Sequence, residues 1–361
     1  MKTPIIVTII LSGSLSLFAA DKPLAPLPAG TKAVSIHAPF EADPNDCKQC
    51  HEKSDPKEPG KVKKAINALC VECHDDFQKV MKRKHVHGAA EDKCTNCHNP
   101  HNASQPKLLT QELVALCVSC HDDQKTQMTK MKVVHGALTT GKKCVGCHNP
   151  HASDVKPILI QLAGDLCISC HATDTITDAG GKPLTNFKKL LDANSEQHAP
   201  VATKDCSACH KAHASQNFRL LAKEYPPQFY STYATNLYAL CYECHDPKLA
   251  ADPETTTLTQ FRNGSKNLHY VHVNKSERGR TCRACHEVHA AKQAHIIRDG
   301  VPYGSAGWIL KVNYTKTPTG GSCAKTCHGE QVYARGPATK VQGKPATEKP
   351  PAEKANAPKT N

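Results

Sequence analysis

Ten times in this chain a histidine stands directly after the second cysteine of a closely spaced pair, and no cysteine lies outside that pattern. Nine of the motifs are C-x-x-C-H: CKQCH ending at His51, CVECH at His74, CTNCH at His98, CVSCH at His121, CVGCH at His148, CISCH at His171, CSACH at His210, CYECH at His245 and CRACH at His286. The tenth, CAKTCH ending at His328, has three residues between its cysteines. A chain that commits all 20 of its cysteines in this way is constrained first by what the motifs hold.

Three chemistries use paired cysteines. Disulfides are their ordinary use in an exported chain, but disulfides make no demand for an adjacent histidine. Structural zinc also takes C-x-x-C pairs, and it has no need of histidine at that position either. With 22 histidines in 361 residues, ten coincidences, each at a chance of about 6%, are not credible. Covalent attachment of c-type haem requires every part of the motif. Two thiols bind the vinyl groups on one porphyrin edge, and the next residue is thereby held under the iron as its proximal ligand.

The sequence therefore predicts ten covalently bound c-type haems. They are attached through Cys47, Cys50, Cys70, Cys73, Cys94, Cys97, Cys117, Cys120, Cys144, Cys147, Cys167, Cys170, Cys206, Cys209, Cys241, Cys244, Cys282, Cys285, Cys323 and Cys327. The proximal ligands are His51, His74, His98, His121, His148, His171, His210, His245, His286 and His328.

Met1 to Ala20 carries one early lysine, an apolar run from Ile5 to Phe18 and small residues before Asp21, the pattern of a cleavable secretory leader. No cysteine marks a lipid anchor, and no later segment is apolar enough to span a bilayer. The mature chain is expected to be exported, most simply to the periplasm, with no integral membrane span. Removal of the leader leaves about 34 residues per haem, too few to enclose each in its own pocket. The apolar porphyrin faces must then supply much of the core, in keeping with an aromatic content of only 5%.

A two-haem unit recurs four times: LCVECH…VHG…CTNCHNPHNAS from Leu69, LCVSCH…VHG…CVGCHNPHASD from Leu116, LCISCH…QHAP…CSACHKAHASQ from Leu166, and LCYECH…YVHV…CRACHEVHAAK from Leu240. Each carries a bridging histidine (His87, His135, His198 or His272) and a trailing histidine three residues after its second motif (His101, His151, His213 or His289). Histidines at equivalent places beside successive motifs are candidate sixth ligands, as electron-passing haem needs. A half unit precedes the repeats, with His37 and CKQCH but Ser54 where a trailing histidine would stand.

The simplest pairing rule is that bridging histidines serve the motif just downstream and trailing ones reach back to the first motif of their unit. His37 would then serve the His51 haem and His151 the His121 haem. For His328, His295 is the nearest of the remaining histidines, which also include His85 and His269. This organisation divides the chain into a leader (1–20), a linker and half repeat (21–68), four repeats (69–115, 116–165, 166–239, 240–300), a C-terminal half repeat (301–335) and a Lys/Pro/Ala tail (336–361).

These units resemble the doubled-CXXCH family of multihaem c-type cytochromes, and the ten-motif total resembles periplasmic decahaem cytochromes of metal-respiring bacteria. The resemblance implies a haem wire that moves electrons across the periplasm or to the cell exterior, in anaerobic or extracellular respiration. Its implied partners are redox proteins: quinol-oxidising or periplasmic cytochromes, or an outer-membrane porin–cytochrome complex. The C-x-x-x-C-H motif and the long inserts of the third and fourth repeats depart from the pattern.

Short helices are expected to lead into the first motif of each pair, as in TQELVALCVSCH, and another at TNFKKLLDA, with a hairpin over Arg298 to Tyr314 placing Trp308 in a packing role. The expected fold class is mainly α with extensive coil around a haem-dominated core. The 336–361 tail is too polar to fold and is read as a solubilising or partner-docking segment.

The net charge of +13 invites a nucleic-acid reading, which fails once cofactors are counted. Loss of Lys2 with the leader leaves +12; ten haems bring about twenty propionate charges and ten ferric centres, leaving roughly +2 when oxidised and −8 when reduced. Two further readings stand beside electron transfer: a reductase with an open site at the His328 haem, and a subunit of an extracellular cytochrome filament. No C-x-x-C-K motif favours the reductase.

Overall fold

The computed structural model describes Leu24 and residues 26–28, 30–303, 308–324 and 327–336. The expected leader and, beyond Gly336, the expected tail lie outside these residues. The chain divides into two compact units, Met1–Ser169 and Cys170–Asn361, each considered by itself below.

The mainly α expectation is overturned. Among the described residues only two helices, Asp122–Lys130 and Ala163–His171, reach nine residues, and the rest of the backbone alternates single helical turns with short strands. The motifs themselves are the cause. Eight of them close their own turn, with the histidine amide donating to the carbonyl of the first cysteine, as in His98 N to Cys94 O at 3.1 Å and His286 N to Cys282 O at 2.9 Å. A turn spent on each motif leaves little uninterrupted chain for longer helices.

Where helices were expected they form, for local reasons. Leu113–Val118 starts at Glu112, whose carboxylate accepts from the amides of Val114 and Ala115, satisfying first-turn donors that lack helical partners. Phe187–Asp192 starts at Asn186, which accepts from Lys189 N. In Asp122–Lys130, acids in the first turn and a lysine in the last complement the helix dipole.

Two-residue antiparallel strands join distant parts of each unit. In the first, Ser35–Ile36 pairs with Asn102–Ala103, and His85–Val86 pairs with Ala152–Ser153. In the second, Glu196–Gln197 pairs with Ala290–Ala291. Each ladder runs directly into two histidines: His37 N donates to His101 O at 2.9 Å, His87 N to His151 O at 2.8 Å and His198 N to His289 O at 3.0 Å. The residues after the trailing histidine are small because the ladder is enclosed, Ala152 and Ala290 being 0% and 1% exposed.

A second repeated device follows five of the motifs. Isolated bridges join His51 to Val62, His98 to Leu109, His148 to Leu159, His210 to Leu221 and His286 to Ile297, always eleven residues on. Inside four of these loops non-glycine residues take a left-handed conformation, among them Lys107 (φ 61°), Ile158 (φ 54°), Arg219 (φ 54°) and His295 (φ 61°).

The second unit also has a protein core of its own, built on the long insert: Leu221, Tyr225, Tyr238, Ala250 and Val273, flanked by Tyr233, Leu237 and Tyr242. After it, Gly300–Tyr303 and Trp308–Lys311 form the expected hairpin. Trp308, however, is 74% exposed, so the packing role expected for it is not met; it stands opposite Tyr303, and it is Tyr303 that packs against Phe229 and Tyr230. The last sheet joins Tyr314–Thr317, Gly320–Cys323 and Gln331–Ala334. A Cβ at Gly320 would meet the Tyr333 carbonyl oxygen at 1.9 Å, so only glycine permits that approach.

Because Ala152 has no free space around it, Ala152→Leu should destabilise the ladder by about 1–3 kcal/mol. Thermal unfolding of the haem-loaded protein, followed by absorbance, checks this; an unchanged midpoint would show that the ladder is slack.

Candidate functional site

The sites are built from pairs of imidazoles that face each other across a fixed gap. In the first unit the ring centroids of His37 and His74 are 6.0 Å apart, His51 and His101 6.2 Å, His87 and His121 5.9 Å, and His98 and His151 6.1 Å. In the second they are His198 and His245 at 6.2 Å, His210 and His289 at 6.3 Å, His269 and His286 at 6.4 Å, and His272 and His328 at 6.4 Å. In seven of the eight the ring planes lie within 11–19° of parallel, while His272 and His328 are at 37°.

The gap has a chemical meaning. Two imidazoles bound to one metal at about 2.0 Å per bond, each with its nitrogen about 1.1 Å from the ring centre, have centroids about 6.2 Å apart. The residues present thus fit a six-coordinate haem iron, with a CXXCH histidine on one face and a second histidine on the other.

Every pair contains one motif histidine, but the pairing differs from the simple rule. His37 faces His74, not His51, and His151 faces His98, not His121. Bridging histidines skip the next motif and meet the one beyond it. Trailing histidines reach past the first motif of their own unit, as His101 does in meeting His51 and His289 in meeting His210. The strand ladders are the reason: each binds a bridging to a trailing histidine through the backbone, so ligands are exchanged across the boundary between repeats.

The C-terminal end solves the same problem differently. No further repeat supplies a trailing histidine for His286, and the helix Leu268–Val273 replaces the ladder, presenting His269 and His272 three residues apart and so on one face. His269 faces His286 and His272 faces His328. Asn267 caps this helix, its side-chain oxygen accepting from His269 N at 3.0 Å. His269 was not singled out by sequence because it occurs once, outside the repeat.

His295, the expected partner of His328, is not beside it as a ligand. Its Nε2 lies 3.0 Å from Lys316 Nζ. What it contributes is its carbonyl, which accepts from His286 Nδ1 at 2.9 Å. The same bond, nine residues on, recurs from His51 to Gly60 O (3.1 Å), His98 to Lys107 O (2.8 Å), His148 to Pro157 O (3.0 Å) and His210 to Arg219 O (3.0 Å). A carbonyl only accepts, so Nδ1 carries the proton and Nε2 is left as the donor to a metal.

The facing histidines are fixed too. His87 Nδ1 donates to Pro150 O at 2.9 Å and His272 Nδ1 to Leu268 O at 2.7 Å. Trailing histidines lean on phenylalanine edges: His101 on Phe40 at 5.4 Å, His151 on Phe77 and His289 on Phe187, both at 4.8 Å. Phe261 does the same for His269 at 5.2 Å. Burial holds His269 well below its ordinary range, at about 3, and so in the neutral form that coordinates metal. Desolvation likewise pulls His101, His151, His210 and His286 down.

The thiols also approach one another between motifs. Cys70 is within hydrogen-bonding reach of Cys94, Cys117 of Cys144 and Cys241 of Cys282. All described cysteines are free of disulfides, as thioether chemistry requires. His135 and His148 in the first unit, and His171 and His213 in the second, complete the set of histidines the sequence assigns to ligation.

Paired motifs with facing histidines define a class of protein that carries several covalently bound c-type haems. The doubled CXXCH motif family matches residues 37–79, 87–126, 135–175 and 198–250, and the chain belongs to this family of multihaem c-type cytochromes. Each match opens on a bridging histidine and ends past the motif two places on, the frame in which His37 meets His74, His87 meets His121 and His198 meets His245. The stretch from His272 to His328 repeats that order beyond the four matches. No curated protein matches the chain.

His151→Ala should convert one haem to the high-spin state, seen as one equivalent of high-spin ferric signal by electron paramagnetic resonance. In a Cys94→Ser, Cys97→Ser background, which lacks the His98 haem, the same substitution should add no such signal. A signal that persists there would assign His151 to another haem.

Proposed function

We propose that this protein is an electron-transfer cytochrome holding ten haems, each between two histidines. The observation that carries this reading is the one-metal gap in eight imidazole pairs, including the pair at the variant C-x-x-x-C-H motif. His135 and His213 hold the bridging and trailing positions of their repeats, and the proposal gives them the two sixth-ligand places that remain. His85 and His295 are then the two histidines left over, and every iron has both faces taken.

Bound haem supplies a one-electron ferric/ferrous couple. The chain's own residues hold that couple in a fixed coordination: the carbonyl-anchored Nδ1 atoms set ring orientation, and the phenylalanines keep the facing imidazoles from rotating away. Such a site exchanges electrons with little rearrangement and has no place for a substrate atom on the metal. The reductase reading needed an open position at His328, and His272 stands in that position.

An exported, periplasmic or outer-membrane-associated setting is part of the proposal, with other redox proteins as partners in anaerobic or extracellular respiration. It is supported by the leader-like residues 1–20 and by the oxidising, haem-loading compartments in which c-type attachment is made. Among the described residues no helix is long and apolar enough to cross a membrane. Neither nucleic acid nor an integral membrane span enters this reading.

The test is haem count and spin state on the purified protein. Ten haems per chain, only low-spin ferric signals, and a reduced spectrum unchanged by carbon monoxide are the expected results. A stoichiometric high-spin signal or carbon monoxide binding would leave an iron open and refute the all-histidine assignment.

A further inference from the structure

The five motifs that carry the eleven-residue loop can be compared position by position, because the same backbone bonds recur in each. The amide thirteen residues after the second cysteine donates to that cysteine's carbonyl: Lys63 to Cys50, Thr110 to Cys97, Ile160 to Cys147, Ala222 to Cys209 and Arg298 to Cys285. Two residues before the first cysteine stand Asn45, Asp92, Lys142, Lys204 and Arg280. Only at the His286 site are both positions arginine.

These two arginines are not solvated surface cations. Arg298 is 9% exposed and pairs with Glu287, the residue after His286, at 2.6 Å. Arg280 is half-buried on the strand Gly279–Arg280, which is held against Tyr230–Ser231. Its Nε is buried and meets no acceptor among the described residues, and no carboxylate pairs with it there. The surroundings are tightly closed, with Thr281 at 2% and Ala284 at 4% exposure.

An unpaired, half-buried cation needs a counter-charge, and haem propionates are the anions this site would receive. Reduction removes one positive charge from a haem iron, so a fixed cation nearby favours the ferrous form, more strongly the less water intervenes. Enclosure acts in the same direction, because it penalises the more charged ferric state.

We infer that Arg280, together with Arg298, makes the haem of His286 the high-potential site of the chain, where electrons collect before they leave. The inference rests on the ten-haem, histidine-ligated reading and adds to it a direction. Arg280 acts here as a positioning and tuning residue, touching neither iron as a ligand.

The test is a spectroelectrochemical titration of the ten-haem protein and its variants. Arg280→Gln should move about one tenth of the total absorbance change, at the high-potential end, toward lower potential. The expected size is roughly a tenfold fall in the ferrous-to-ferric ratio at fixed potential, about 59 mV for a one-electron couple. Arg280→Lys keeps the charge and should retain the wild-type trace. Glu287→Gln removes a negative charge and should move the same fraction upward.

A titration of Arg280→Gln superimposable on wild type, or an equal shift in Arg280→Lys, would overturn the inference. So would a shift confined to the low-potential end. Haem content and spin state measured on the wild-type sample report separately on ligation. A high-spin haem there would count against the histidine reading, whatever the variants do to the potentials.

Discussion

The structure depends on a single backbone contact repeated three times among the described ladders, the hydrogen bond from the amide of a bridging histidine to the carbonyl of a trailing one. One such bond, net of solvent exchange, is worth only about 1 kcal/mol. Its importance is geometric. It fixes two imidazoles side by side while their rings diverge to motif histidines far apart in sequence, His37 to His74 and His101 to His51. Each ladder therefore ties two binding sites together, and the thiol approaches between Cys70 and Cys94 and between Cys117 and Cys144 tie those pairs to their neighbours. Within each unit, the linkage between neighbouring sites is a property of the chain before any cofactor is considered.

The same constraint explains why so little conventional core is present. Two-residue strands and single helical turns bury little apolar surface, and isolated elements of that length are not stable in water. The first unit has Ala103, Ala152 and little else among its buried hydrophobic residues. Its stability must come from the covalent thioether links and the flat apolar groups they hold, which restrict the unfolded chain as a cross-link does. The second unit adds the tyrosine-rich cluster around Tyr238. That cluster lies against Cys241 and Cys282, so it serves to close the sites of His245 and His286 from water.

What the sequence made legible follows from how local each constraint is. The CXXCH chemistry is confined to five or six consecutive residues, so the motifs, each with its adjacent histidine, are readable directly. Helices at Leu113–Val118 and Phe187–Asp192 were legible because they too are set by short stretches of neighbouring residues. The ladders were not, because a strand of two residues has no alternation to detect. Without the ladders the exchange of ligands between repeats was invisible, and a closed two-haem unit was the simplest rule. His269 escaped because it replaces a missing repeat. His295 attracted attention by its side chain when its function resides in a carbonyl, at a position that is Lys107 or Arg219 in other loops.

The two ends of the chain consequently differ in kind. At the N-terminal end the His51 site sits among lysines, with Lys48 and Lys63 exposed, and its loop is closed by a glycine carbonyl. At the C-terminal end a helix supplies both facing histidines, arginine replaces lysine, and the axial rings of His272 and His328 turn 37° out of parallel. A repeat protein that merely stacked equal units would have no reason to change its ligand source, its cations and its ring geometry together at one end. A conductor with a preferred exit would, because water-screened lysines leave a site's affinity for an electron nearly unchanged while enclosed arginines raise it. On the inferred tuning, this asymmetry in side chains would give a symmetric run of binding sites a direction.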